Sequence, residues 1–499
     1  MSDQARALPD RPSLRFLKLE AKRRLAAGEF DTLNAAQLAI AREHGMSSWT
    51  ALKDHISDGP DGPDGAALAG VRWVVSRFRD AGSPAWQAPA DAELRAHFDD
   101  HYLELIPADT VVSTLSRMAG RLREEFVVTG ESALRVRGQI SGLRVEAAVE
   151  PEAPHRLTGL RLYPVGARVT DARISAPSTR TAGLVPAAAT RVAEESFAEV
   201  GLVGLVVAGD ASGEAPGWAA ARGWADLERG ELLRPDHRFP AYGITKVVTA
   251  TAVLVQVGEG RIGLDEPANS YLSTVRLASD VVTVRDLLTH TGGVDGVAAV
   301  FADSVPEVAG LLGPVVGCGG SRGVFATSNA GYGVLGQLIA DVAGAAFPEV
   351  VDRTVFAPLG MAASSFPVRW PDVDAVTGYQ LGEDGTFVPA AEQLSTLPGA
   401  GGLWTTAVDL VRFGVGWSSL LPAELSREAL RPHVAQRTPG ASVGLGWLIN
   451  GDKGFVGHAG VGPGAGLSLI IQEGAGRVSV VCTNRIVPVE SVNGRLLLS

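Results

Sequence analysis

Apolar positions between residues 13 and 56 recur at helical spacing. Leu14, Leu17, Ala21 and Leu25 share one face, and the stretches Leu33 to Ile40 and Trp49 to Ile56 repeat the pattern. Short helices are expected there, with Gly45 stopping one and Ser47 or Ser48 capping the next. The Asp-Gly-Pro repeat between Ser57 and Gly65 interrupts the period and reads as a linker. From Ala67 to about Pro164, helical stretches at Leu94 to Phe98, Tyr102 to Ile106 and Thr110 to Leu122 give way to alternating segments. These lie at Leu134 to Arg137, Leu143 to Ala147 and Leu157 to Leu162, an α+β arrangement of helices on one antiparallel sheet. A loose segment, Val169 to Ala187, precedes the last region. That region opens with helix and strand over Thr190 to Ala208, carries an apolar helical run at Val247 to Val257, and closes with antiparallel strands at Leu467 to Gln472 and Val478 to Thr483. The expected divisions are a small helical module at 1–57, a linker at 58–66, an α+β domain at 67–168, a linker at 169–187 and a larger domain at 188–499.

A chain of 499 residues exceeds one ordinary core, and 46% hydrophobic residues suffice for several. The net charge of −11, with no Lys/Arg stripe, argues against a nucleic-acid partner. No stretch offers about 18 uninterrupted apolar residues, so no membrane span is expected. The charged Met1 to Leu25 lacks the apolar run of a signal peptide, which points to a cytoplasmic protein. Cys318 and Cys482 form neither a disulfide framework nor a metal-ligand spacing, so no metal or other cofactor is expected. His97 and His101, at i and i+4, read as a solvated helix face.

Lysine is rare: the five stand at 18, 22, 53, 246 and 453, among 44 basic residues. Lys246 therefore runs against a strong bias toward arginine, and it does so inside an apolar helical run. A buried ammonium there is costly unless it finds partners or shifts its pKa.

The stretch Phe239-Pro240-Ala241-Tyr242-Gly243-Ile244-Thr245-Lys246 resembles the active-site helix of serine β-lactamase-like and penicillin-binding-protein-like hydrolases. Further matches to that family are Leu287-Leu288-Thr289-His290-Thr291-Gly292-Gly293, Pro358-Leu359-Gly360-Met361, Gly401-Gly402-Leu403-Trp404, Gly444-Leu445-Gly446-Trp447 and Gly457-His458-Ala459-Gly460. Together they span about 300 residues. The resemblance implies an α+β fold, an antiparallel sheet flanked by helices. The segment Ala92 to Phe98 with Leu157 to Leu162 is similar to the cystatin-like, isomerase-like domain that precedes such hydrolases in the clavulanic-acid-cluster protein and its mycobacterial relatives. Ala36 to Trp49 resembles a helical module found at the N-termini of varied bacterial proteins.

In the family, a serine three residues before the lysine is the nucleophile, because i and i+3 share a helix face and the amine takes the hydroxyl proton. Gly243 occupies that position here, and Tyr242 stands where relatives place glycine. The resemblance assigns proton relay to Thr327 and contact with the lysine and substrate amide to Asn329, for which a helix cap is the plain alternative. It places His458-Ala459-Gly460 on the edge strand, where Gly460 lets substrate approach, a tight turn being the alternative. Backbone N–H groups at Gly243 and Val461 correspond to the oxyanion hole. His290 is expected to order its own loop.

The expected catalytic set is thus Lys246, Thr327, Asn329, His458 and Tyr242, with Gly243, Gly460 and Val461 binding substrate. The Lys246 ammonium is expected within hydrogen-bond reach of Asn329 or Thr327. Tyr242 is the nearest replacement hydroxyl, Thr245 lies on the wrong helix face and Ser328 should point away. Gly243→Ser is expected to restore weak acylation if the rest of the machinery is intact. Three readings stay open: a scaffold that binds or non-covalently transforms a small carbonyl metabolite in a biosynthetic setting, a hydrolase or acyltransferase using Lys246-activated water, and a structural role. The partner expected is a small molecule, with a protein partner or a second copy engaged through the N-terminal domains.

Overall fold

Alternating burial along one strand organises the larger part of the molecule. In the strand Gly204–Asp210, Val206 and Ala208 enter one apolar core while Leu205 and Val207 enter another, so a single strand is buried on both faces. The computed structural model describes residues 21, 23–25, 29–30, 32–43, 48–49, 63–81, 83, 86–105, 108–117, 119, 122, 126–132, 135–140, 143–150, 154–164, 171–174, 178–210, 217–296, 300–371, 373–382, 384–436, 440–487 and 489–498. The chain divides into two compact units, Met1–Ala167 and Arg168–Ser499.

In the first unit, helix α1 (Leu33–Glu43) buries Ala36, Ile40 and Ala41 in a small cluster with Phe30, Leu33 and Trp49 beside it. Helix α2 (Pro63–Phe78) starts inside the segment expected to be a linker. Proline at a first helical position has no intrahelical donor to lose, so the last Asp-Gly-Pro repeat begins a helix instead of preventing one. Gly45 and Ser47 lie outside the described residues. Helices α3 (Asp91–His97), α4 (Asp100–Leu105) and α5 (Ala108–Arg117) lead into strands β1 (Val127–Ser132), β2 (Arg135–Ile140), β3 (Leu143–Val149) and β4 (Leu157–Pro164). The four strands form an antiparallel sheet in chain order, and α2 contributes Val71, Val74 and Phe78 to the core over it. His97 does not belong to a solvated face: its ring stacks on Trp73 at 3.9 Å, and burial lowers its pKa.

The second unit is built on a ten-stranded sheet, antiparallel at every pairing. Its strands include β5 (Arg180–Ala182), β6 (Gly204–Asp210), β7 (Trp218–Asp226), β8 (Val434–Ala435), β9 (Ala441–Val443), β10 (Leu448–Asn450), β11 (Phe455–Gly462), β12 (Ala465–Gln472) and β13 (Arg477–Thr483). Their spatial order is β8-β9-β10-β11-β12-β13-β6-β7-β5, and Glu231–Leu232 also pairs with β7. The segment expected to be a loose linker therefore contributes an edge strand, with Arg180 opposite Ala221.

Helices cover both faces. On one side α6 (Ala187–Val200) and the C-terminal α10 (Val489–Leu498) bury Ala193, Phe197, Val492 and Leu496. On the other lie α7 (Thr245–Gly258), α8 (Asn329–Ala343) and α9 (Ala407–Gly416). Helix α7 is buried along nearly its whole length, from Thr245 to Leu254, as expected for a helix apolar on all sides. No single helix among the described residues is long and apolar enough to cross a membrane.

Candidate functional site

The turn entering α7 is pinned from both sides. Phe239–Pro240 pairs with Trp404–Thr405, and the Ala241 N–H donates to the Leu403 carbonyl at 2.7 Å. Tyr242 then takes a left-handed backbone conformation, φ 43°. A bulky side chain is uncommon there and persists only where its surroundings hold it. They do: the phenol donates to the Pro463 carbonyl at 2.8 Å, and the ring meets Phe301 edge-on at 5.7 Å. It also lies so close to Gly462 that a Cβ added there would come within 2.5 Å of it.

Gly243 is next, and strand β11 lies directly over it. A Cβ at Gly243 would stand 2.5 Å from the Ala459 carbonyl oxygen and 3.2 Å from Cε1 of His458. Gly460 is under the same constraint, since a Cβ there would collide with the Ala241 carbonyl and lie 3.2 Å from the Gly243 nitrogen. Gly243 and Gly460 thus meet backbone to backbone, as close approach without side chains allows. Val461, the next residue on β11, is half exposed. The group facing the missing side chain is a carbonyl oxygen, a hydrogen-bond acceptor.

One helical turn on, Lys246 is 5% exposed, and burial pushes its pKa down to about 8. Its ammonium donates to the Ala400 carbonyl at 3.2 Å and sits 5.9 Å from the centre of the Tyr332 ring. The Gly399–Leu403 segment holds α7 throughout this turn, with Thr249 donating to the Gly399 carbonyl at 2.7 Å and Leu403 N–H donating to the Thr245 hydroxyl at 3.2 Å.

The expected bond from Lys246 to Asn329 or Thr327 is not made. Ser328 is the N-cap of α8: its hydroxyl accepts from Gly331 N–H at 3.0 Å, and its own N–H donates to His290 Nδ1 at 3.1 Å. These bonds fix the loop so that Thr327 is exposed and Asn329 is the first, partly exposed residue of the helix. Among the described residues neither side chain has a hydrogen-bond partner. Asn329 is therefore not the cap.

Two histidines complete the neighbourhood. His290 is buried, its ring tilted against Tyr332 at 4.9 Å, and His458 is partly buried. Because His290 Nδ1 accepts from Ser328, its neutral ring carries the hydrogen on Nε2. His458 is the reverse, with Nδ1 donating to the Ala459 carbonyl at 2.7 Å and Nε2 left as the acceptor. Burial and then the Lys246 charge hold both below the usual histidine range, His458 at about 4. A histidine pKa lower in the folded than in the unfolded chain adds stability above about pH 6.5 that is lost as pH falls toward the folded value. Melting midpoints of the natural chain should thus drop between pH 6.5 and 4, and His458→Gln should show a shallower drop. Parallel curves would remove His458 from this account.

Tyr242 is displaced from the catalytic set. Burial raises its pKa, and its hydroxyl hydrogen is committed to Pro463, so it is no phenolate. Ala400 and Tyr332 carry no signal of the site in the sequence. The first acts through a carbonyl that every residue possesses, and the second through the ring of a tyrosine whose hydroxyl donates to Leu288. No group of three or more His, Cys, Asp or Glu suited to a metal occurs among the described residues.

The model of the Beta-lactamase family matches residues 190–498. Similar proteins include PbpX of Bacillus subtilis (strain 168), classed among penicillin-binding proteins, at 26% identity over 48% of this chain and 61% of that one. Esterase EstB of Burkholderia gladioli is 29% identical over 40% of this chain and 58% of its own, so the match spans less than two thirds of either relative. Among solved structures, the penicillin-binding protein from Bacillus halodurans aligns with a TM-score of 0.54 at 22% identity, over 63% of this chain and 99% of that one. The D-amino acid amidase from Ochrobactrum anthropi SV3 aligns with a TM-score of 0.53 at 22% identity, over 62% and 96%. These structures share the fold of the second unit.

Proposed function

The chain belongs to the β-lactamase family, and from that premise we propose that it works without an acyl-enzyme, binding or non-covalently transforming a small carbonyl- or carboxylate-bearing metabolite. One observation carries this reading. Position 243 has no side-chain oxygen, and the space a side chain would enter is taken by the Ala459 carbonyl and the His458 ring. Covalent catalysis needs a nucleophile beside its base. Here the base, Lys246, remains and the nucleophile does not.

Incubation with a penicillin, a cephalosporin or a fluorophosphonate is therefore expected to leave the intact mass of the protein unchanged. An adduct mapped to Tyr242, Thr245 or Ser328 would defeat the proposal.

A second reading is favoured by one further observation: an amine with a pKa of about 8 is partly unprotonated near neutral pH and can accept a proton from water. Ester turnover without any adduct, abolished by Lys246→Met, would select this Lys246-activated hydrolysis. A cystatin-like character of the first unit, engagement of a protein partner or second copy through it, a cytoplasmic location and a biosynthetic setting belong to the same proposal. Genomic neighbourhood and cell fractionation test the last two.

A further inference from the structure

We propose a second ligand site, on the face of β11 turned away from Gly243, that takes a small amphiphilic carboxylate. A cavity of about 310 Å³ lies there, within the range of small-molecule pockets. Strand alternation turns its floor away from Lys246, although the cavity shares strand β11 with the Gly243 turn, His458 and Ala459 being among its lining. Val456 and Leu469 point into the core that contains α7, whereas Leu448, Gly457 and Ile470, paired across β10, β11 and β12, line the opposite face. The next cross-strand row adds Phe455 and Asn450.

The far wall is Gly494 of α10, and this glycine has no packing reason to be one. A Cβ there would meet no heavy atom within 4 Å. Glycine inside a helix is less favourable than alanine. At the other glycines of this wall and of the Gly243 turn, neighbouring atoms explain the missing Cβ. Gly457 would strike the Leu469 carbonyl. At Gly494 the open space itself is the feature, and an occupant of the cavity would use it.

The chemistry of the lining selects the occupant. Its apolar floor is Leu448, Phe455 and Ile470, and its polar members include Gln436, Asn450 and Lys453. Among the described residues none of the lining is Asp or Glu, although acids outnumber bases in the chain, 55 to 44. Lys453 is exposed and in no ion pair among the described residues, and Asn450 uses its Oδ1 on the Lys453 N–H, leaving its amide hydrogens free. An apolar tail on the floor with a carboxylate at Lys453 and Asn450 matches this arrangement.

The test is calorimetric titration of the full chain with decanoate, and separately with decanol, both below micelle-forming concentrations. Decanoate should bind saturably at one site and more tightly than decanol. Lys453→Ala, on the surface and harmless to folding, should weaken decanoate by about tenfold and leave decanol unchanged. Gly494→Trp should fill the cavity and weaken both by about tenfold or more, while Gly494→Ala keeps both. Non-saturable uptake would overturn the proposal, and so would equal affinity for the two probes or indifference to Lys453→Ala.

Discussion

Gly243→Ser should lower the stability of the larger unit by about 1–3 kcal/mol, the usual cost of forcing atoms into a filled site, and should still not be acylated by an activated ester. The obstacle is backbone. The Ala459 oxygen stands 2.5 Å from the serine Cβ position, and no side-chain truncation elsewhere can move it. A Cβ at Gly460 would meet the Ala241 carbonyl, so β11 and the turn are held together on both sides of the contact. The expectation from sequence is the opposite, weak acylation if the remaining machinery is intact, with Tyr242→Gly added because the phenol occupies space a substrate would need. Adding Tyr242→Gly relaxes the left-handed residue and removes the ring from Gly462, but leaves Ala459 in place. The double variant should therefore also stay unacylated. Thermal melting and intact-mass analysis after exposure to a p-nitrophenyl ester decide the matter. A single variant as stable as the natural chain and carrying an acyl group would mean that β11 lifts freely and that the vacancy at 243 is only chemical.

What sequence revealed and what it hid follow a physical division. Helix α7 was legible because its residues are apolar on all sides, and Lys246 because it broke both that pattern and the preference for arginine. Strands β12 and β13 were legible from β-branched and aliphatic runs between turns. Arg180–Ala182 was not, since three residues carry no period and its strand character comes from pairing with β7. The closure over Gly243 was equally hidden. It is made by main-chain atoms from distant parts of the chain, whose only trace in the sequence is the glycines at 243, 460 and 462. The loop at 327–329 shows the limit of transferring a motif. Its residues match the family pattern, yet Ser328 is the residue whose bonds set the loop, while among the described residues the Thr327 and Asn329 side chains make none.

Lys246→Met is expected to stabilise the protein at neutral pH. Burial lowers the lysine from its ordinary 10.5 to about 8, a difference worth roughly 3 kcal/mol at about 1.4 kcal/mol per unit. The sign follows from proton binding. Between pH 8 and 10.5 the unfolded lysine keeps its proton and the folded one releases it, so stability rises with pH across that window and is lost as pH falls through 8. Methionine fills a similar volume without a charge to desolvate, and its variant should lack this rise. Against the gain stands the lost bond to the Ala400 carbonyl, about 1 kcal/mol. The net advantage of methionine at pH 7 should then be about 1–3 kcal/mol, turning into a deficit of about 1 kcal/mol near pH 10.5, where only the lost bond remains, as measured by denaturant titration at both ends of the range. If methionine instead destabilises the chain at pH 7, the ammonium is a structural element and needs no further reason to be there. If it stabilises as expected, the natural protein carries a buried cation at a cost to its own folding, beside Gly243 and two neutral histidines. Such a cost is borne where a charge meets a ligand or a water that the folded chain alone does not supply.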